Sequence, residues 1–372
     1  MSRRWAGSAF FLFFVASSCL ASSLAPEMAA VEKIRGRKFI NDVKTATIER
    51  ATLGARLEKQ VAQDLPFSID DWGRVIRALQ LVDTEGPQVL PKLLALYEAQ
   101  VLAFYDPETH TYYAIDKLPP QVAEQSKGID PKMLEEMVQV HELMHAMQDQ
   151  HWNIGAKDKL LRADNDAMLA YHGLLEGEAV LVMLANLLSS TGVDLDAVMK
   201  NDTMIDTLMT AAQAEVAAPD SPKYFTEMLK FPYLDGLKFV VAAYRRGGWK
   251  ELDRIHANPP RSTREILHPE DYFAGKFKAD VFDETKPEGA LSVEHMGEFH
   301  WAFLAGAENA RGWVGDRAVV MKNGRVDVET KWETPEAAAK FAGGYGAFLK
   351  TRNVGAKVTR EGAVVRATYQ TK

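Results

Sequence analysis

Val140-His141-Glu142-Leu143-Met144-His145-Ala146-Met147-Gln148 is the stretch from which the rest of the chain can be read. Two histidines four positions apart on a helix stand one above the other on the same face, so both imidazoles can reach one point. Zinc accepts neutral imidazole nitrogens, and a catalytic zinc needs three protein ligands with one position left for water. The glutamate after the first histidine points beside such an ion, where it can take a proton from that water. A pattern this short also arises by chance on amphipathic helices, so its meaning depends on its surroundings.

Upstream, Asp130-Pro131 is a helix start, with aspartate as N-cap and proline in the first turn. From there Leu134, Met137, Val138, His141, Met144, His145 and Gln148 recur at three- and four-residue steps. The histidines therefore sit on the apolar, core-facing stripe, and two imidazoles buried side by side need partners. Downstream, a second helix is expected over Asp166–Leu188, capped by Asp164 or Asn165, and it carries Leu175-Glu176-Gly177-Glu178-Ala179. Glu176 and Glu178 are about 200° apart around that helix, so only one can face the histidines. Glu176 shares its face with His172 and Gly173, and a glycine there lets another helix approach closely. Glu178 lies among Leu174, Leu175 and Val182, fit for a supporting polar network.

Two plans for a third ligand stand side by side. In the gluzincin plan it is a glutamate on a second helix, here Glu176. In the metzincin plan, His-Glu-x-x-His-x-x-Gly-x-x-His, it is a histidine, here His151. The second plan needs a glycine where Gln148 stands, and in a continuing helix His151 is rotated roughly 120° from His145. The helical reading favours Glu176.

The run Val140 to His151 resembles a poorly characterised family of exported bacterial zinc metallopeptidases. Members carry His-Glu-Leu-x-His-Ala-Leu-Gln-Asp-Gln, then Glu-Gly-Asp-Ala, then Ser-Thr-x-x-Ile-Leu-His-Pro. Glu176-Gly177-Glu178-Ala179 is similar to the second element, with glutamate in place of aspartate, and Ser262-Thr263-Arg264-Glu265-Ile266-Leu267-His268-Pro269 to the third. The likeness runs from about Val101 to the C-terminus. It implies a gluzincin-like peptidase in which His141, His145 and Glu176 hold Zn²⁺ and Glu142 is the general base. Gluzincins also keep a histidine or tyrosine donor for the oxyanion, and His268 and Tyr272 are the candidates for that catalytic role. Asp149 and His172 are candidates to orient the ligands.

The whole chain of 372 residues is 47% hydrophobic and 26% charged, ordinary for one large or two medium globular domains. Its net charge of −7, without a basic run, argues against nucleic acid as a partner. Arg3 and Arg4 precede an apolar run, Ala9 to Ala16, and then small residues, which reads as an export signal over residues 1–25. The single cysteine, Cys19, follows a weak lipobox, so membrane anchoring through a lipid is an alternative to free export to the periplasm or medium. With one cysteine there is no disulfide within the chain.

The expected organisation is α+β: a predominantly helical, zincin-like core with a small sheet or hairpin, and a small C-terminal α+β unit. An N-terminal helical region spans residues 26–100, with one long or broken helix over Glu32–Gln63 and shorter ones over Ile69–Tyr97. The core spans 101–277. Its hairpin, Val101–Tyr105 and Thr111–Ile115, is a candidate edge for binding an extended peptide. Further helices are expected near Leu195–Val216 and Lys223–Gly247, the latter starting or kinking at Pro232 and ending at Gly247-Gly248. The C-terminal unit, 278–372, follows a linker at Phe282–Gly289. It reads as helix, strand, strand, helix, strand, with strands at Arg317–Lys322, Val326–Trp332 and Ala363–Thr368. The function expected is hydrolysis of a peptide or protein substrate. The alternatives are a non-catalytic zinc- and peptide-binding envelope protein, or hydrolysis of another amide or ester.

Overall fold

The structure, a computed structural model, describes residues 23–64, 68–84, 86–127, 130–162, 164–212, 221–275, 277–280, 282–283 and 285–371. Residues 1–22 of the expected export signal, Cys19 among them, lie outside these residues. The fold is α+β, with many helices and two small sheets.

Helix α1 (Ala25–Arg35) ends at Gly36, whose left-handed φ of 62° suits a residue without a side chain. Strand β1 (Lys44–Ile48) and helix α2 (Arg50–Asp64) follow. The helix expected over Glu32–Gln63 is therefore interrupted. Thr45, Thr47 and Ile48 are β-branched, and a partner strand remote in sequence outweighs the helical pattern around them. Helices α3 (Ile69–Ala78), capped by Ser68 Oγ, and α4 (Gly86–Gln100) complete this region. The expected hairpin is present as β2 (Ala103–Asp106) and β3 (Thr111–Ile115). Strand β1 pairs with β3 in parallel, giving the order β1-β3-β2 with β2 at one edge.

Helix α5 (Pro120–Gln125) leads to α6 (Pro131–Trp152), α7 (Ile154–Leu161) and α8 (Asn165–Ser190). Asp130 caps α6 and Asp164 caps α8, each through its carboxylate and a first-turn N–H. Next come α9 (Leu195–Met199), α10 (Asp202–Ala212) and α11 (Lys223–Ala257). Helix α11 starts at Lys223 and runs through Pro232. Its first part ends at Gly247-Gly248, as expected, where the backbone leaves the helical region (Gly248 φ 62°, ψ −153°), and a second helical part continues to Ala257. Two short helices, α12 (Thr263–Leu267) and α13 (Pro269–Ala274), close the helical part.

The remainder is β4 (Ala290–Glu294), α14 (Gly297–Ala305), α15 (Ala307–Ala310), β5 (Trp313–Met321), β6 (Arg325–Trp332), α16 (Pro335–Thr351), β7 (Ala356–Glu361) and β8 (Val364–Gln370). These five strands form an antiparallel sheet in the order β4-β5-β6-β8-β7. Strands β4 and β7 add to the three expected strands. β7 is a largely exposed edge that lacks an apolar alternation strong enough to announce it.

Two cores organise the packing. One joins α3 and α4 to the C-terminal sheet and α16, around Trp301, Trp313, Trp332 and Phe341. In it Asp316 accepts N–H groups from Met296, Gly297, Trp301 and Trp313, so a buried carboxylate is fully engaged by donors. The other core centres on α8, with α1, α6 and α11 against it. Helix α8 is apolar and long enough to cross a membrane, yet its apolar stretch is almost wholly buried inside the protein. Its crossing with α11 is backbone on backbone. A Cβ at Gly177 would run into the Gly236 carbonyl, and one at Gly236 into the Gly173 carbonyl. Gly177→Ala or Gly236→Ala should therefore destabilise the protein by about 1–3 kcal/mol, as overpacking does. A lower midpoint in urea unfolding is the expected readout; an unchanged midpoint would mean that the helices do not meet here.

Candidate metal centre

Helix α6 carries His141, Glu142 and His145 on its buried side, and α8 brings Glu176 to meet them. His141 Nε2 lies 3.0 Å from His145 Nε2 and 3.1 Å from Glu176 Oε2, and His145 Nε2 is 3.5 Å from the same oxygen. Donors bound tetrahedrally at zinc distances lie about 3.3 Å apart, so the observed spacings match a common cation. One donor atom from each residue lies within 4.8 Å of the others. The three side chains fit a divalent metal.

The electrostatics point the same way. Burial drives the His141 imidazole down to about 4, so it is neutral. Burial pushes Glu176 up, but His145 and His141 more than offset this and hold it near about 2. Burial likewise pulls His145 down, and the Glu176 carboxylate outweighs it, giving a net upward shift. The buried carboxylate thus demands a positive charge between the rings, which a proton supplies in the bare protein and a cation could supply instead.

Glu142 faces the group from the next position on α6. Its Oε2 accepts the backbone N–H of Tyr105 at 2.8 Å, and its Oε1 has no hydrogen-bond partner among the described residues. Burial raises its pKa to about 8. Tyr105 belongs to edge strand β2 and is held twice by α6, because its hydroxyl also donates to Asp149 at 2.9 Å. Asp149 takes His110 Nδ1 as well, at 2.8 Å, so it anchors the hairpin rather than a metal ligand.

Other expected residues lie elsewhere. His151 bonds the Lys38 carbonyl at 2.8 Å and approaches Arg37, away from the pair on its own helix. His172 bonds Asp158 at 2.8 Å, a partner on α7 that the sequence did not suggest. His268 and Tyr272, expected to stabilise an oxyanion, direct their polar atoms to Glu298 Oε1 (2.6 Å) and the Asn258 carbonyl (2.5 Å). The segment Ser262–Pro269 is an anchor: Ser262 Oγ caps α12, and Arg264 reaches Asp271, the Trp313 carbonyl and Glu333. The aromatic residue beside the centre is instead Tyr233 of α11, whose partly exposed ring lies 6.3 Å from that of His141. In the sequence it drew notice only for its neighbour Pro232.

Around α12 the helical core meets the C-terminal sheet through buried and half-buried ionisable groups. Asp166 accepts Thr263 N–H at 2.9 Å, Asn165 donates to Glu294 at 3.1 Å, and His295 lies 3.0 Å from Asp164. Burial raises Asp166 to about 7 and Glu294 to about 8. Burial lowers His295, but Asp164 and Asp316 outweigh it and bring it to about 10.

A family described as a domain of unknown function (DUF8575) matches residues 277–371, the part that holds the five-stranded sheet and not the His-His-Glu group. No curated protein and no solved structure matches the chain.

The joint around α12 has a consequence for stability. The ordinary values for Asp166, Glu294 and His295 are 3.8, 4.5 and 6.5, and all three are raised in the fold. At these three groups the folded state binds more protons than the unfolded chain from about pH 4 to about pH 10, so their contribution to stability falls as pH rises through that window. The midpoint of chemical unfolding should drop from pH 5 to pH 9, and Glu294→Gln should make the drop shallower. A midpoint that rises over this range would contradict the raised values.

Proposed function

We propose that the protein is a zinc-dependent peptidase of gluzincin type, with His141, His145 and Glu176 holding the metal. The observation that carries the reading is the mutual spacing of 3.0, 3.1 and 3.5 Å among the three donor atoms, in a buried setting that demands positive charge. Bound there, zinc would supply a Lewis acid for a water and for the carbonyl of the scissile bond.

The chain's own residues do the rest. Glu142 is the proton carrier: its free Oε1 and its raised pKa suit a group that takes a proton from the attacking water and returns it to the leaving amine. Strand β2 is the edge along which an extended substrate would lie, since it borders the sheet and touches α6 through Tyr105. Tyr233, rather than His268 or Tyr272, is the donor for the developing oxyanion, because its ring is the one against His141. Export to the periplasm or medium, free or lipid-anchored through Cys19, belongs to the same proposal and rests on the N-terminal sequence.

One observation favours a second reading, a metal- and peptide-binding protein without turnover. His141, Glu142 and His145 have no exposure and Glu176 has 3%, so the group is closed to bulk solvent. An active enzyme must open here.

Elemental analysis of purified protein tests the ligand set. One zinc per chain is expected, lost in Glu176→Ala and retained in His151→Ala; loss with His151 instead would move the third ligand. Glu142→Gln separates the two functional readings. It should keep the zinc and lower peptide hydrolysis by about 10²–10⁴-fold, the usual worth of a general base. Tyr233→Phe should also keep the metal, with turnover down about 10²-fold. Zinc binding with no hydrolysis of any peptide by the wild type would leave the binding protein.

A further inference from the structure

His145 is gripped on the side away from the metal group. Its Nδ1 lies 2.8 Å from Gln148 Oε1, one turn along α6. The Gln148 amide nitrogen donates to the Leu175 carbonyl at 3.0 Å and to Glu178 Oε2 at 2.8 Å. Both of those partners are acceptors, so the amide cannot be turned round without losing both bonds. Its oxygen therefore faces His145, and His145 Nδ1 must carry a proton. In the neutral ring that leaves the lone pair on Nε2, the atom aimed at His141 and Glu176.

The glutamine is fixed in turn. Glu178 Oε2 also receives His256 Nε2 at 2.6 Å, and Glu178 Oε1 pairs with the Arg35 guanidinium at 2.8 Å. Arg35 is buried, stands over the Trp249 ring at 4.6 Å, and bonds Asp253 at 2.9 Å. His256 stacks on Trp152 with centroids 3.9 Å apart. The chain of contacts runs from α1 and the last part of α11, through α8, to one imidazole on α6. Glu176 and Glu178, on opposite sides of α8, serve the two nitrogens of the same histidine.

We propose that Gln148 is a positioning residue, locking His145 as the Nδ1–H tautomer with the Nε2 lone pair turned toward the metal group, and that Glu178 with Arg35 locks Gln148. This rests on the metal reading above and extends it to residues that touch no metal. An unlocked ring can present either nitrogen and rotate, so the lock acts on metal affinity before any catalysis.

The test is zinc affinity by chelator competition, together with the visible spectrum of the cobalt-substituted protein. Gln148→Leu, which removes the acceptor, should weaken zinc binding about 10- to 100-fold. It should also change the cobalt spectrum, which a purely structural role would leave alone. Gln148→Glu sets a carboxylate against Glu178 and should weaken binding as well. Adding Glu178→Gln to that variant removes the facing carboxylates and sets a donor at 178 against the acceptor at 148; the Leu175 carbonyl still loses its donor, so part of the affinity should return.

A folded Gln148→Leu protein with wild-type affinity and spectrum overturns the proposal. If that variant does not fold, the exchanged pair decides, and failure to recover over Gln148→Glu alone overturns it. Wild type that binds no zinc brings down the metal reading and this inference together. Zinc lost with Glu176→Ala but kept with Gln148→Leu brings down this inference alone.

Discussion

A carboxylate buried between two imidazoles is the constraint on which the centre depends. Glu176 cannot remain ionised in a dry interior without positive charge beside it, and its neighbours His141 and His145 are the groups that can share that charge. Helix geometry then dictates much else. The pair on α6 must lie on one face, so α6 presents that face inward. The carboxylate must come from a second helix, so α8 must approach α6 closely, with α11 pressing on α8 from another side. The glycines at 177 and 236 allow the α8–α11 contact, because a Cβ at either would run into backbone of the other helix. A packing feature and a chemical feature thus share one stretch of α8, since Gly177 lies between Glu176 and Glu178.

The sheet is tied to the centre through one residue. Tyr105 gives its backbone N–H to Glu142 and its hydroxyl to Asp149, two carboxylates seven residues apart and hence on one face of α6. An edge strand normally leaves such an N–H open to a new partner. Here the partner is the proposed base itself. Any strand that added to this edge would compete with Glu142 for the same N–H.

The helices of the centre were legible in the sequence because local signals agree there. Asp130-Pro131 and Asp164 mark the starts of α6 and α8, and the periodicity of each helix survives in the fold. The angle between Glu176 and Glu178 was enough to divide them between two faces. What could not be read depends on contacts remote in sequence. Strand β1 exists because β3, more than sixty residues later, accepts it. His172 looked like a neighbour of Glu176 on one helix face, but Asp158 on α7 reaches it first. His268 and Tyr272 had the right chemistry, and only the path of the chain sends them to Glu298 and Asn258. Tyr233 had no distinguishing pattern, since an aromatic next to a proline in a helix is common in cores.

Helix α8 also explains why the helical part and the C-terminal sheet are not independent in their electrostatics. Its cap and first turn, Asp164 and Asp166, enter the joint with Thr263 and His295. Its middle carries Glu176 to the histidines and Glu178 to Arg35 and His256. The 26-residue helix is buried along most of its length, so one element carries both the joint and the carboxylates of the centre. The short α12 is wedged at that end, with Thr263 on Asp166 and Arg264 reaching the Trp313 carbonyl and Glu333. The segment Ser262–Pro269 thus ties the first turn of α8 to the C-terminal sheet, at the opposite end of the helix stretch from Glu178.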